Sequence, residues 1–216
     1  MLAEHLKVKE EDRDRNWDEK FFKLIAEANL SILTQDPQQG PDGWPYLIAE
    51  TVENNQVAVN VDSAQKVFHW LATKGIGLVI NPRRTPYPDY VFSYGMIWSF
   101  RETGYFIKFH DLNPSGPLEI NENSTIKTGP PSMEYLPQYV RNVLKDFFRD
   151  QNVFEAKVLM ISTDGKNYDL CFSAESLGNP AVEDHKVFLE AVSWFLPPHY
   201  TLGIISEKGL PEFTAL

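Results

Sequence analysis

The chain has a single cysteine, Cys171, and that scarcity excludes a good deal. One thiol makes no internal disulfide, and no thiolate metal cluster is built from it alone. The setting this predicts is a reducing, cytoplasmic one. Long apolar runs are missing too. Those present, such as Ile76 to Ile80, are far too short to span a bilayer, so no membrane crossing is expected. The opening run MLAEHLKVKEEDRDRNWDEK carries no apolar stretch of the kind a secretory signal needs. Basic surface is also scarce. Acids outnumber bases 30 to 20, the net charge is −10, and no basic stripe gathers in any one region. Nonspecific attraction to nucleic acid is thereby excluded, and an anionic lipid surface would repel the chain. Small molecules, other proteins or a second copy of the chain are the partners left.

Reactive constellations are equally hard to find. His5, His69, His110, His185 and His199 show neither HxH nor HExxH spacing, so no metal site is read from them. No GxSxG elbow, no GxGxxG and no GxxxxGK[ST] occurs. Gly75-Ile76-Gly77 follows a helix pattern and precedes a strand pattern, the reverse of the phosphate-binding order. No catalytic residue and no cofactor is therefore expected.

What is present is regular patterning. From Trp17, the positions Phe21, Leu24, Ile25 and Ala28 recur at helical spacing, after a charged extension over residues 1–16. Leu30–Thr34, Trp44–Glu50 and Gln56–Val61 read as short strands. Asp62 or Ser63 caps a helix running to about Lys74, which Gly75 stops. Ile76–Ile80 has the continuous apolar character of a central strand. Asp89–Phe100 is expected to be helical and Tyr105–Phe109 a strand. Residues 111–123 are rich in Pro, Gly, Asn and Ser and read as a linker between domains at 17–110 and 124–216.

In the second half, Leu136, Tyr139, Val140, Val143, Leu144, Phe147 and Phe148 form one helical stripe. Phe154, Ala156, Val158 and Met160 alternate with polar or exposed positions and form one face of a strand. Asp164-Gly165 predicts a type I′ hairpin, and Tyr168, Leu170, Phe172 and Ala174 form one face of the return strand. Cys171 then lies on the opposite face with Asp169 and Ser173. Glu183–Phe195 is a helix with Val187 and Phe188 inward, and Tyr200–Ser206 is the last strand. The fold class expected is α+β: two small mixed α/β domains, each a small sheet with packed helices.

Two stretches carry a resemblance to a known family. GIGLVINP ends a helix and forms an apolar strand closed by Asn81-Pro82. TGPPSMEYLPQYVRNVLKDFFRDQNVFEAKVLMI sets Gly129, Pro131, Glu134 and Pro137 before a long amphipathic helix and a strand. The chain resembles the SseB family, named for enhanced serine sensitivity. The resemblance implies an N-terminal SseB domain, an SseB-type C-terminal domain and a link to amino-acid metabolism or its regulation. It brings no catalytic residues with it. Departures from the pattern are the charged residues of the N-terminal extension, Ala49-Glu50-Thr51 near the early strands, and Arg83-Arg84 where small residues are expected.

Asn81, Arg83 and Arg84 are the candidate site. They follow the end of a central strand, and two guanidiniums offer planar donors to a carboxylate or phosphate. The alternative is that Asn81-Pro82 is turn chemistry and the arginines pair with surface acids. The leading functional reading is a non-catalytic protein acting by protein or small-ligand binding; its rival is an enzyme or metabolite sensor with an anion site at Asn81–Arg84. Trp70 and Trp194, off the centre of their stripes, either help form a domain or subunit interface or cover core edges.

Overall fold

The computed structural model describes residues 2–52, 58–84, 86–110 and 126–216. The chain divides into two compact units, Met1–Phe106 and Ile107–Leu216, and the fold is α+β, with one mixed sheet in each unit packed against helices.

The first unit runs α1 (Leu2–His5), α2 (Arg15–Ala26), β1 (Asn29–Ile32), β2 (Gln38–Gln39), β3 (Pro45–Thr51), β4 (Val61–Ser63), α3 (Ala64–Leu71), β5 (Gly77–Ile80), β6 (Tyr90–Phe92) and α4 (Tyr94–Thr103). Its sheet has the order β4-β1-β3-β5-β6, with β2 added to β3. Among its described strands only β3 and β5 pair in parallel, Leu47 opposite Leu78 and Ala49 opposite Ile80, and the β4–α3 segment lies between them in the chain. Asp14 caps α2 by accepting from the Trp17 N–H at 2.8 Å, and Phe21, Phe22 and Ile25 then face inward one turn apart. They meet Phe68, Phe92 and Phe106 in an aromatic core, with ring centroids 4.8 Å apart for both Phe68–Phe106 and Phe92–Phe106.

The helix expected over Asp89–Phe100 is in fact a strand followed by a helix. Tyr90 pairs with Ile80 and Phe92 with Leu78, and the Ser93 hydroxyl caps α4 by accepting from the Met96 N–H. The aromatic and β-branched residues before Ser93 are strand formers, and the hydroxyl marks the helix start. Tyr105–Phe109 forms no strand. Gly104, at φ 77°, turns the chain after α4, and Phe106 alone plugs the aromatic core while Tyr105 faces solvent. Part of the expected strand Gln56–Val61 lies outside the described residues; β4 begins only at Val61.

The charged extension is packed against the unit. The His5 ring stacks on Trp17 at 4.9 Å, and the Trp17 indole N–H donates to the His5 carbonyl at 3.1 Å. Leu6 is buried.

The second unit runs β7 (Lys127–Gly129), α5 (Gln138–Asp150), β8 (Lys157–Ser162), β9 (Asp169–Ser173), α6 (His185–Ser193), β10 (Thr201–Ile205) and β11 (Thr214–Ala215). The sheet order is β10-β9-β8-β11, with β7 also on β8. Helices α5 and α6 cover one face through Phe148, Phe172 and Phe188. Arg141, buried on α5, donates to the carbonyls of Leu136 and Pro131 at 2.9 and 2.7 Å and so ties the Pro-rich approach to its helix.

Four expectations change here. The face of β8 expected to be polar or exposed is a second core: Leu159, Ile161 and Cys171 pack with Phe213, because the segment after β10 folds back over the sheet. Phe154 is 74 % exposed and Val187 is 67 % exposed, so neither is part of a core face. The turn after β8 is not type I′, since Gly165 but not Asp164 has positive φ. Its stability comes instead from the Asp164 carboxylate, which accepts from the N–H groups of Lys166 and Asn167 at 2.8 Å each. Those bonds hold that carboxyl well below its usual range. Finally, β10 is not the last strand; β11 follows it and pairs with β8.

Gly77 shows how tightly the first sheet is built. A Cβ there would stand 2.6 Å from carbons of the Tyr46 ring and 2.7 Å from the Phe92 carbonyl oxygen. Gly77→Ala is therefore expected to destabilise the protein by about 2 kcal/mol, measured as a lowered urea midpoint with an unchanged slope.

Candidate functional site

At the end of β5 the chain takes a left-handed step. Asn81 has φ 52°, a conformation asparagine tolerates better than most residues. Its N–H still donates to the Ala49 carbonyl at 2.9 Å, so the turn grows directly out of the parallel ladder. The side chain is wholly engaged within the fold. Its Oδ1 accepts from the Thr51 N–H at 2.9 Å, and its Nδ2 donates to Asp89 Oδ2 at 2.8 Å and to Thr51 Oγ1 at 3.2 Å.

Asp89 is the centre of the arrangement. It is only 4 % exposed, and its own N–H continues the ladder to the Ile80 carbonyl at 3.0 Å. Arg84 Nη1 donates to its Oδ1 at 2.6 Å, and Arg13 Nη2 approaches the same oxygen at 3.4 Å. Arg13 also donates through Nη1 to the Asp89 carbonyl at 2.7 Å and through Nε to the Val8 carbonyl at 3.3 Å, while its guanidinium lies 4.2 Å above the Trp17 ring. A buried carboxylate demands this many donors, because its desolvation is offset only by pairing and hydrogen bonds.

The three expected residues therefore separate. Asn81 and Arg84 meet on Asp89. Arg83 does not; its side chain is 82 % exposed, with Nε 3.8 Å from Glu50 Oε1. Sequence reading missed Asp89 and Arg13. An acid between PYP and an aromatic strand was a usable signal for Asp89. Nothing local pointed to Arg13, whose partner lies 76 positions away.

Between residues 7–11 and the residues Arg84, Pro86, Tyr87, Pro88 and Asp89 runs a groove of about 620 Å3. Lys7, Lys9, Arg13 and Arg84 give it positive charge, Glu10 and Glu11 stand on the same wall, and Tyr87 offers an exposed ring. Lys7 Nζ lies 2.7 Å from Glu4 Oε1 and Lys9 Nζ 3.5 Å from Glu11 Oε1, so both lysines are paired as well.

The other candidates are placed as follows. Cys171 is fully buried, and burial, with Asp169 nearby, pushes its thiol up to about 12. The His5 ring is 2.9 Å from the Trp17 carbonyl and the His185 ring 3.2 Å from that of Pro180. Asp111, beside His110, lies outside the described residues. Trp194 is buried and Trp70 is half-exposed. Among the described residues no three His, Cys, Asp or Glu side chains converge as metal ligands, and no helix is long and apolar enough to cross a membrane.

Comparisons with protein-family models, with curated proteins and with solved structures return no match. The site's meaning rests on its own geometry.

Two outcomes follow from that geometry. Asp89→Ala, which strands two guanidiniums and the Asn81 amide, is expected to cost about 3 kcal/mol or more, whereas Arg83→Ala stays within about 0.5 kcal/mol; urea denaturation of the two variants separates them. Cys171 is expected to resist iodoacetamide at pH 8 in the folded protein and to react fully once unfolded, read by mass spectrometry.

Proposed function

We propose that the chain is a cytoplasmic binding protein of SseB type, which holds a small anionic ligand or a protein partner and performs no catalysis. The observation that carries this reading is the convergence of Arg13 and Arg84 on the single buried carboxylate of Asp89, at the wall of an open groove. A ligand carboxylate or phosphate there meets the part-exposed planar guanidinium of Arg84. Glu10 and Glu11 limit the charge the groove accepts, favouring a singly charged anion over a polyphosphate. They also provide for an ammonium group, so a free amino acid matches both signs of charge. The SseB resemblance, through serine sensitivity, supports the same class of ligand.

A binding role accords with the state of the reactive side chains. The Cys171 thiol stays protonated at neutral pH, and the His5 and His185 rings are engaged with backbone carbonyls. The rival, an enzyme or sensor using Asn81, Arg83 and Arg84 together, has against it the engagement of Asn81 within the fold and the position of Arg83, exposed with its Nε 3.8 Å from Glu50 Oε1.

Thermal denaturation with serine, other amino acids, inorganic phosphate and nucleotides tests the proposal, because a ligand of the native state raises the melting temperature. An amino acid or simple carboxylate is expected to raise it, the shift vanishing in Arg84→Ala and persisting in Arg83→Ala. Absence of any shift, or a shift that survives Arg84→Ala, overturns it.

A further inference from the structure

The groups lining the groove beside Asp89 are not equally engaged. Lys7 and Lys9 are taken up by Glu4 and Glu11, and Arg13 by Asp89, the Val8 carbonyl and the Trp17 ring. Arg84 commits one nitrogen, Nη1, to Asp89. Its side chain is 39 % exposed, and among the described residues its Nε and Nη2 make no bond. On the facing wall Glu10 is exposed, and its carboxylate has no partner among the described residues. The groove thus presents one open guanidinium edge and one open carboxylate.

A third group stands with them. The Tyr87 ring is 62 % exposed and makes no ring contact or hydrogen bond among the described residues. Pro86 and Pro88 flank it in the chain. Proline fixes its own φ and holds the residue before it in extended backbone, so the ring is presented with little backbone freedom left to lose on binding. Pro86, Pro88 and, from the other wall, Val8 line the groove beside it. An open aromatic face among such residues suits a flat apolar group.

These three groups are complementary to one kind of small molecule. An α-amino acid carries its carboxylate and ammonium on the same carbon, so a cation and an anion on facing walls engage both, and the side chain lies along the remaining apolar lining. A side chain with a second carboxylate finds the other cations already paired. A hydroxymethyl group buries little area against Tyr87, whereas an aromatic ring covers it.

Resting on the anion-groove reading above, we infer that the ligand is an α-amino acid with an aromatic side chain. Arg84 binds its carboxylate, Glu10 its ammonium, and Tyr87 stacks on its ring.

Isothermal titration of the full chain provides the test. L-Phenylalanine is expected to bind about tenfold tighter than L-serine; Tyr87→Ala removes that advantage and Tyr87→Phe keeps it. 3-Phenylpropanoate, which lacks the ammonium, is expected to bind about fivefold more weakly than phenylalanine, and Glu10→Gln abolishes the difference. Both positions are exposed, so these variants are expected to melt as the parent protein does. Equal affinity for phenylalanine and serine, or an advantage that survives Tyr87→Ala, overturns the inference. So does equal affinity for phenylalanine and 3-phenylpropanoate in the parent protein. In each of these cases the anion groove itself stands if Arg84→Ala still abolishes binding. Failure of every amino acid and carboxylate to bind overturns both.

Discussion

A buried carboxylate organises the first unit. Asp89 sits at the start of β6 and gathers the end of β5, the loop after it and the N-terminal segment onto one group. A carboxylate out of water is tolerable only when its oxygens are saturated with donors, preferably charged ones. Meeting that demand places Asn81 in its left-handed turn, draws Arg84 back over the loop and brings Arg13 across from a distant part of the chain. The groove is a by-product of this arrangement. Its cationic walls stand where they do because the carboxylate holds two guanidiniums.

The second unit is built by a different means. Its sheet is covered on both faces, by α5 and α6 on one side and by the segment bearing Leu210 and Phe213 on the other. Cys171 is buried by that second layer, which turns a thiol beside a carboxylate into an inert apolar filler. Among the described strands, β10 pairs only with β9, and β7 and β11 pair only with β8.

Much of the fold was legible, and the exceptions are informative. Helices α2, α3 and α5 follow from apolar spacing with caps or stops nearby, and β5 from its continuous apolar run. The Asp89–Phe100 expectation failed because a single helix was run through Ser93, whose hydroxyl separates a strand from a helix. Phe106 was assigned to a strand because an aromatic beside β-branched residues looks alike whether it lines a sheet or plugs a core. Val187 was placed inward by periodicity alone, although it is 67 % exposed. At the site, Asn81 and Arg84 both bond Asp89, whereas Arg83 was grouped with them only because it is adjacent in the chain.

The sequence by itself determined the α+β class, the run of most helices and strands, and the turn at Asn81-Pro82. Each of these depends on local periodicity and on backbone preferences within a few residues. The tertiary structure alone decided that Asp89 is the hub, that Arg13 joins it and that Cys171 is sealed. Those properties are set by residues far apart in the chain. Burial, pairing and pKa depend on what a fold brings together, and spacing along the chain does not encode it.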